Sequence, residues 1–307
     1  MQNSSDAEGG DHAWAQSLID NYWIPNHTDP KDVGKLLRNV IKSFTSDEDL
    51  PLKQALEVLT ENVESVQQFL SFPYALAKGL LNEAKIPNQK EGDADFRLRL
   101  VAKTMTSATV AEQLHRMKQQ AVILLWSAYE TFSRDIFIAV LNGQPKLYNK
   151  LIKSSLKDKF NSSQIFSFSG LEKYDFTLEG KLGIAIADGK DFSSPGLLRS
   201  LFTLLLPSGE FMQQMSIALE SQDLWRLGHR RHLIAHRSGV IDENYLRQTG
   251  DNGQATGTQL IVQGWEIDKA MLEVANAAML ILLSAAKQEK TQHMSIEVDS
   301  PIPLSGP

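Results

Sequence analysis

The stretch TVAEQLHRMKQQAVILLWSAYETFSRDIFIAVLNGQP, residues 109–145, decides the fold class. Leu114, Met117, Ala121, Leu125, Ala128, Phe132, Ile136 and Ala139 recur at intervals of three and four, the period of one helix face. The segment opens on Thr-Val-Ala-Glu112, which has the form of a capping box with Thr109 as the cap. It stops at Asn142-Gly143, with Pro145 beyond. At 1.5 Å per residue the predicted helix is roughly 50 Å long. Working outward, the same period recurs and no alternating strand pattern appears. Residues 13–23 are amphipathic and stop at Pro25, and 31–44 follow Asp29-Pro30, a helix start. From 52 to 70 a stripe of Leu56, Leu59, Val63, Val66 and Leu70 faces one way, with Pro73 predicted to end the helix and a further short one running to Pro87. Helices resume at 196–206 and from 211 to about 236. After a polar loop at 242–258 comes a last helix, 266–288, with Ile267, Met271, Val274, Ala278, Ile281 and Leu282 on its apolar side. The fold class is all-α.

The divisions follow composition. Residues 1–12 read as a flexible tail, 13–105 as an N-terminal helical region of unassigned role and 106–290 as the main domain. Residues 291–307, closed by several prolines, read as a disordered tail. Within the main domain, 145–195 is rich in Ser, Gly and Phe and reads as a loop-rich insert holding a short helix or two. Asn-Gln-Lys-Glu-Gly-Asp-Ala-Asp at 88–95 is the best linker candidate.

The 307 residues carry a net charge of −6, which excludes a generally basic, non-specific nucleic-acid binder but leaves room for a local basic patch. With no cysteine there is no disulfide, no thiolate nucleophile and no metal site built on sulfur. The polar start lacks an apolar signal core, and the apolar run at 270–286 reads as too short to span a bilayer. The expectation is a soluble, cytoplasmic protein with no membrane contact. No phosphate loop, dinucleotide fingerprint or HExxH helix is present, and Asp47-Glu48-Asp49 reads as a solvated turn.

Chemical density is confined to WRLGHRRHLIAHR, residues 225–237. Arg226, Arg230, Arg231 and Arg237 share it with His229, His232 and His236, and no acidic residue intervenes. Such a cluster repels itself unless an anion offsets it. One reading is a basic helix end that meets its own dipole or acids elsewhere in the fold. A second is zinc on the three histidines, spaced i, i+3, i+7, although the flanking guanidiniums repel a cation and no carboxylate stands close in sequence. A third is phosphodiester chemistry. Arginine binds phosphate bidentately and offsets charge on a pentacoordinate phosphorus, and an imidazole titrating near neutrality moves protons at a ribose 2′-OH or a leaving oxygen.

The run RHLIAHRSGVID, residues 231–242, resembles the signature of the HEPN superfamily, an Arg followed by a polar residue and then a His after four to six positions. The continuation HRSGVIDENYL at 236–246 resembles one HEPN subgroup, as does LLWSAYETF at 124–132, which is similar to that subgroup's first core helix. The resemblance spans about 109–290. It implies a helical bundle that dimerises with two Arg/His motifs facing each other, and a metal-independent ribonuclease that needs no cofactor. By family habit it also implies a toxin or antiphage role, though other members are catalytically silent dimerisation or partner-binding modules. Carried over, Arg231 stabilises the phosphorane, His236 is the acid/base and His232 fills the polar position. Arg226, Arg230 and Arg237 would contact RNA. Arg231 and His236 lie five apart, about 140° around a helix, so they do not share a narrow face. Glu130 either orients Arg231 or His236, or pairs with Arg134 at i,i+4, the more frequent arrangement. Trp126, Tyr129 and Trp225 are expected in the core, His115 on the surface, and the lysines of 146–159 on a solvated face that an RNA track would extend. A protein partner or antitoxin would bind through the N-terminal helices and their leucine stripe.

Overall fold

The computed structural model describes residues 33–44, 50–83, 108–160, 165–206 and 211–298, with side chains described except at 74–83 and 287–298. The expected helix at 13–23, the linker at 88–95 and the tail at 1–12 lie outside these residues. The described chain is all-α: α1 Val33–Ser43, α2 Leu50–Glu83, α3 Ala108–Gly143, α4 Tyr148–Ile152, α5 Phe168–Glu172, α6 Leu182–Ala187, α7 Pro195–Leu205, α8 Met212–Leu219, α9 Gln222–Arg237, α10 Glu243–Thr249 and α11 Gly264–Val298.

The long central helix α3 starts at Ala108, so Thr109 stands inside it rather than capping it. Its stripe is buried from Ala121 to Ala139, as the spacing requires. Around it pack α2, α6, α9 and α11. The N-terminal helices are not a separate layer. Leu56, Leu59, Val63 and Val66 of α2 belong to the same continuous core as α3, α9 and α11. The stripe expected to take a partner is therefore spent inside the chain. Pro73 does not end α2, which runs on to Glu83. Proline removes one N–H donor and crowds one carbonyl, but its fixed φ is itself helical.

The insert is more ordered than its composition predicts. Phe160 and Phe192 pack on Phe137 of α3, with ring centroids 5.2 and 5.3 Å away. The Gly183 N–H donates to Asn142 Oδ1 at 2.7 Å and ties α6 to the end of α3. Ser194 caps α7, with Pro195 in its first turn. The expected loop 242–258 contains α10, started by Asp242 Oδ1 accepting from Tyr245 N at 2.7 Å and stopped by Gly250 in the left-handed region. The last helix continues to Val298, so the first residues of the expected tail are helical. No Pro or Gly occurs before Pro301 to break it. Gly264–Ala286 of α11 is long and apolar enough to cross a membrane, contrary to the shorter run read from sequence, yet 72% of that window is buried inside the protein. Its apolarity serves the core.

Candidate functional site

Helix α9 carries the Arg/His segment. Ser221 caps it by accepting from Leu224 N, and Leu224, Leu227, Leu233 and Ile234 anchor it in the core. Gly228 is required where it crosses α3: an added Cβ would stand 2.9 Å from the Trp126 ring and 3.0 Å from Pro195. His236 and Arg237 fill the last turn, where positive charge meets the carboxyl end of the helix dipole. The helix then ends on two left-handed residues, Ser238 and Gly239. A side chain at Gly239 would also press on the Gln119 amide, 3.0 Å away. Gln119 donates to the Leu260 carbonyl and adjoins His115, which is half-buried rather than on the open surface. An antiparallel bridge between Val240 and Gln259 closes the loop that follows.

The four arginines part company. Arg230, expected to touch RNA, is buried with its side chain only 6% exposed. Its Nε donates to Tyr245 Oη at 3.1 Å, and its Nη2 reaches Asp251 Oδ2 at 3.1 Å and Glu266 Oε1 at 2.7 Å. The Tyr245 hydroxyl donates to Asp251 as well, at 2.9 Å. Burial opposes the guanidinium charge, but the bonds to Glu266 and Tyr245 outweigh it and hold the arginine above its ordinary pKa. Burial pushes Tyr245 up to about 12. Burial also works against the Asp251 carboxylate, yet the Arg230 and Tyr245 hydrogen bonds prevail and lower its pKa. Arg230 is thus a structural clamp and is unavailable to RNA. Arg226, one turn earlier on the same side, lies 3.4 Å from Asp223, which also binds Lys269 at 2.7 Å.

Arg231 points elsewhere. Its side chain is 23% exposed, and its Nη2 stands 3.8 Å from Glu130 Oε2 of α3. Its Nε is buried without a hydrogen-bond partner. The expected i,i+4 pairing of Glu130 with Arg134 gives way to this contact, and Arg134 donates to the Ala187 carbonyl instead. Burial raises the Glu130 pKa, countered by Arg231 and reinforced by Asp191. Asp191, an insert residue that nothing in the sequence pattern singled out, is held low chiefly by hydrogen bonds from Ser193 and in part by Arg231. Two carboxylates from different elements therefore share one arginine's field.

His232 and His236, one turn apart, are both exposed, with ring centroids 4.6 Å apart. His229 packs on Trp225 at 4.6 Å, and burial, followed by the charge of His232, lowers its pKa. The three histidines do not converge, and among the described residues no group of three potential ligands is placed to hold a metal. Trp126 and Tyr129 are core residues, as expected. Trp225 is partly buried and donates to the Gln248 carbonyl at 2.8 Å, packing rather than offering a face for a base. Arg237 pairs with Asp242 at 3.1 Å while staying largely exposed. The lysines of 146–159 sit on the surface or half-buried.

The outer side and end of α9 thus offer two imidazoles, a tethered guanidinium and an exposed one. The arrangement can move protons and bind an anion. Compared with known proteins, the chain matches no family model, no curated protein and no solved structure.

Proposed function

We propose that the chain is a metal-independent endoribonuclease of HEPN type, working as a homodimer in which two copies of the α9 site face each other. The observation that carries this reading is the exposed His232–His236 pair beside Arg231, on a helix whose other arginine of matching spacing, Arg230, is consumed by the clamp. In the proposed reaction one imidazole, that of His236, accepts the 2′-OH proton as O2′ bonds to phosphorus. The P–O5′ bond breaks, and a protonated imidazole supplies the proton to the departing O5′. The products are a 2′,3′-cyclic phosphate and a 5′-OH, with no water consumed. Arg231 offsets charge on the pentacoordinate phosphorus, and Arg237 holds the flanking backbone. His232 orients the pair, and Glu130 positions Arg231.

A second reading has its own support. The Glu130–Arg231 contact already gives the guanidinium an anion, which suits a catalytically silent HEPN module that serves dimerisation or partner binding. Cleavage of end-labelled total RNA and tRNA in excess EDTA separates the two. The nuclease reading expects cutting by the wild type, its loss in His236→Ala and Arg231→Ala, and a cyclic-phosphate end. A folded dimer that cuts nothing transfers the reading to the silent module, and cutting abolished by EDTA overturns the metal-independent mechanism.

A further inference from the structure

A second concentration of positive charge lies away from α9. Helix α1 carries Lys35, Arg38 and Lys42 and no acidic residue. The spacing i, i+3, i+7 puts all three on one face. They line a groove of about 900 Å³ between α1, α2, the first half of α3 and the start of α11, with Lys118 of α3 facing them. Among the described residues, Glu64 and Asp268 are the acids on its walls. Glu64 binds Arg38 through both guanidinium edges, with Nε to Oε1 at 2.6 Å. Among the described residues, four cations against two carboxylates give the groove lining a charge of +2, in a chain of net −6. Lys35, Lys42 and Lys118 make no ion pair with a described residue.

The volume falls in the range of ligand sites, and as in most such pockets the larger part of the wall is apolar, but the charged groups set into it are predominantly cationic. Three amides and one hydroxyl accompany the cations, and no aromatic side chain lines the groove among the described residues, so a nucleobase would find no face to stack on. What it offers is spaced positive charge: Lys35 and Lys42 stand about 10 Å apart along the axis of α1. Lys118 also adjoins Gln119, the residue against Gly239, three positions beyond His236. Consecutive helix residues point about 100° apart, so the groove and the end of α9 lie on different sides of α3, and no α9 residue lines the groove among the described residues.

We propose that this groove binds a run of linked phosphates, either the backbone of the RNA strand engaged at α9 or a free polyphosphate, and reads charge rather than base. The first alternative rests on the nuclease reading, and the second does not. The test uses the full chain carrying His236→Ala, so that RNA stays intact. Binding of a fluorescein-labelled oligoadenylate of about a dozen nucleotides is followed by anisotropy across roughly 50 to 200 mM salt, and inorganic tripolyphosphate is tested as a competitor. Adding Lys35→Gln, Lys42→Gln and Lys118→Gln is expected to weaken oligoadenylate binding at least about tenfold and to lower the salt slope by about two. Lys173→Gln with Lys181→Gln, outside both the groove and the α9 site, should change neither. If tripolyphosphate alone binds, and the triple variant loses it, the free polyphosphate is the ligand. Binding unchanged in the triple variant, or neither probe bound by the parent protein, overturns the proposal. An unchanged circular dichroism melt keeps a folding defect from imitating the loss. A chain that binds but never cuts sinks the nuclease reading and leaves the groove standing. A chain that cuts while the triple variant binds normally does the reverse.

Discussion

Arg230 and Arg231 are neighbours in sequence with opposite fates. Arg230 turns inward to three partners on α10, the loop after it and α11, and its charge is fully answered within the fold. Arg231 turns toward α3, meets one carboxylate at 3.8 Å and keeps a buried Nε without a partner. The difference teaches that a dense basic segment need not have one purpose. Half of this one holds the bundle together, and the other half, with His232 and His236, is left to meet something outside it.

The sharpest way to break the comparison is Arg230→Met. It leaves Asp251 and Glu266 as largely buried carboxylates without their cation, and should cost about 3–5 kcal/mol by urea unfolding. A loss under about 1 kcal/mol would place Arg230 with the surface arginines. Next comes His236→Ala. Cleavage should fall by about 10²–10⁴, the usual worth of a general acid or base, while unfolding shifts by no more than about 0.5 kcal/mol because the ring is exposed. A large stability loss would move His236 to the structural side. Smaller is Tyr129→Phe on α3. The Tyr129 hydroxyl is buried without a hydrogen bond of ordinary geometry, although the Ser133 side chain lies near enough to act on it, so its removal should leave stability unchanged or raise it by up to about 1 kcal/mol. A loss of that size would reveal a missed partner.

The smallest effect concerns His229, between the two sides. Its folded-state pKa is lowered by burial and by His232, so the unfolded chain binds the proton more readily. Stability should therefore fall as pH drops through the ordinary histidine range near 6.5 and below. Because the ring is half-exposed the contribution is modest. His229→Gln should narrow the melting-temperature difference between about pH 7.5 and pH 5.5 by about 1–2 °C. An equal or wider difference in the variant would mean that the ring is not desolvated as described.

Sequence reading recovered what is local. The stripes of α2 and α3 are buried where their spacing puts them, and α3 stops at Gly143, as Asn142-Gly143 with Pro145 beyond requires. The misses are of two kinds. Helix α10 had its signals in view, Asp242 before it and Gly250 after it, but the polar residues between them carry little apolar period to notice. The fate of Arg230 had no local signal at all. Its partners lie 15, 21 and 36 residues away, and only the packed bundle brings them together. The same holds for the docking of the N-terminal stripe into the common core, and for Asp191 beside Arg231.

Those three separations have a kinetic consequence. They are short for a contact that crosses between helices, so the clamp closes a small loop at little entropic cost and does not depend on the N-terminal helices being in place. The segment from α9 to the first turn of α11 is thus suited to form early. Amides in the middle of α9 should exchange with deuterium only on global opening, while those around His236, beyond the clamp, exchange by fraying.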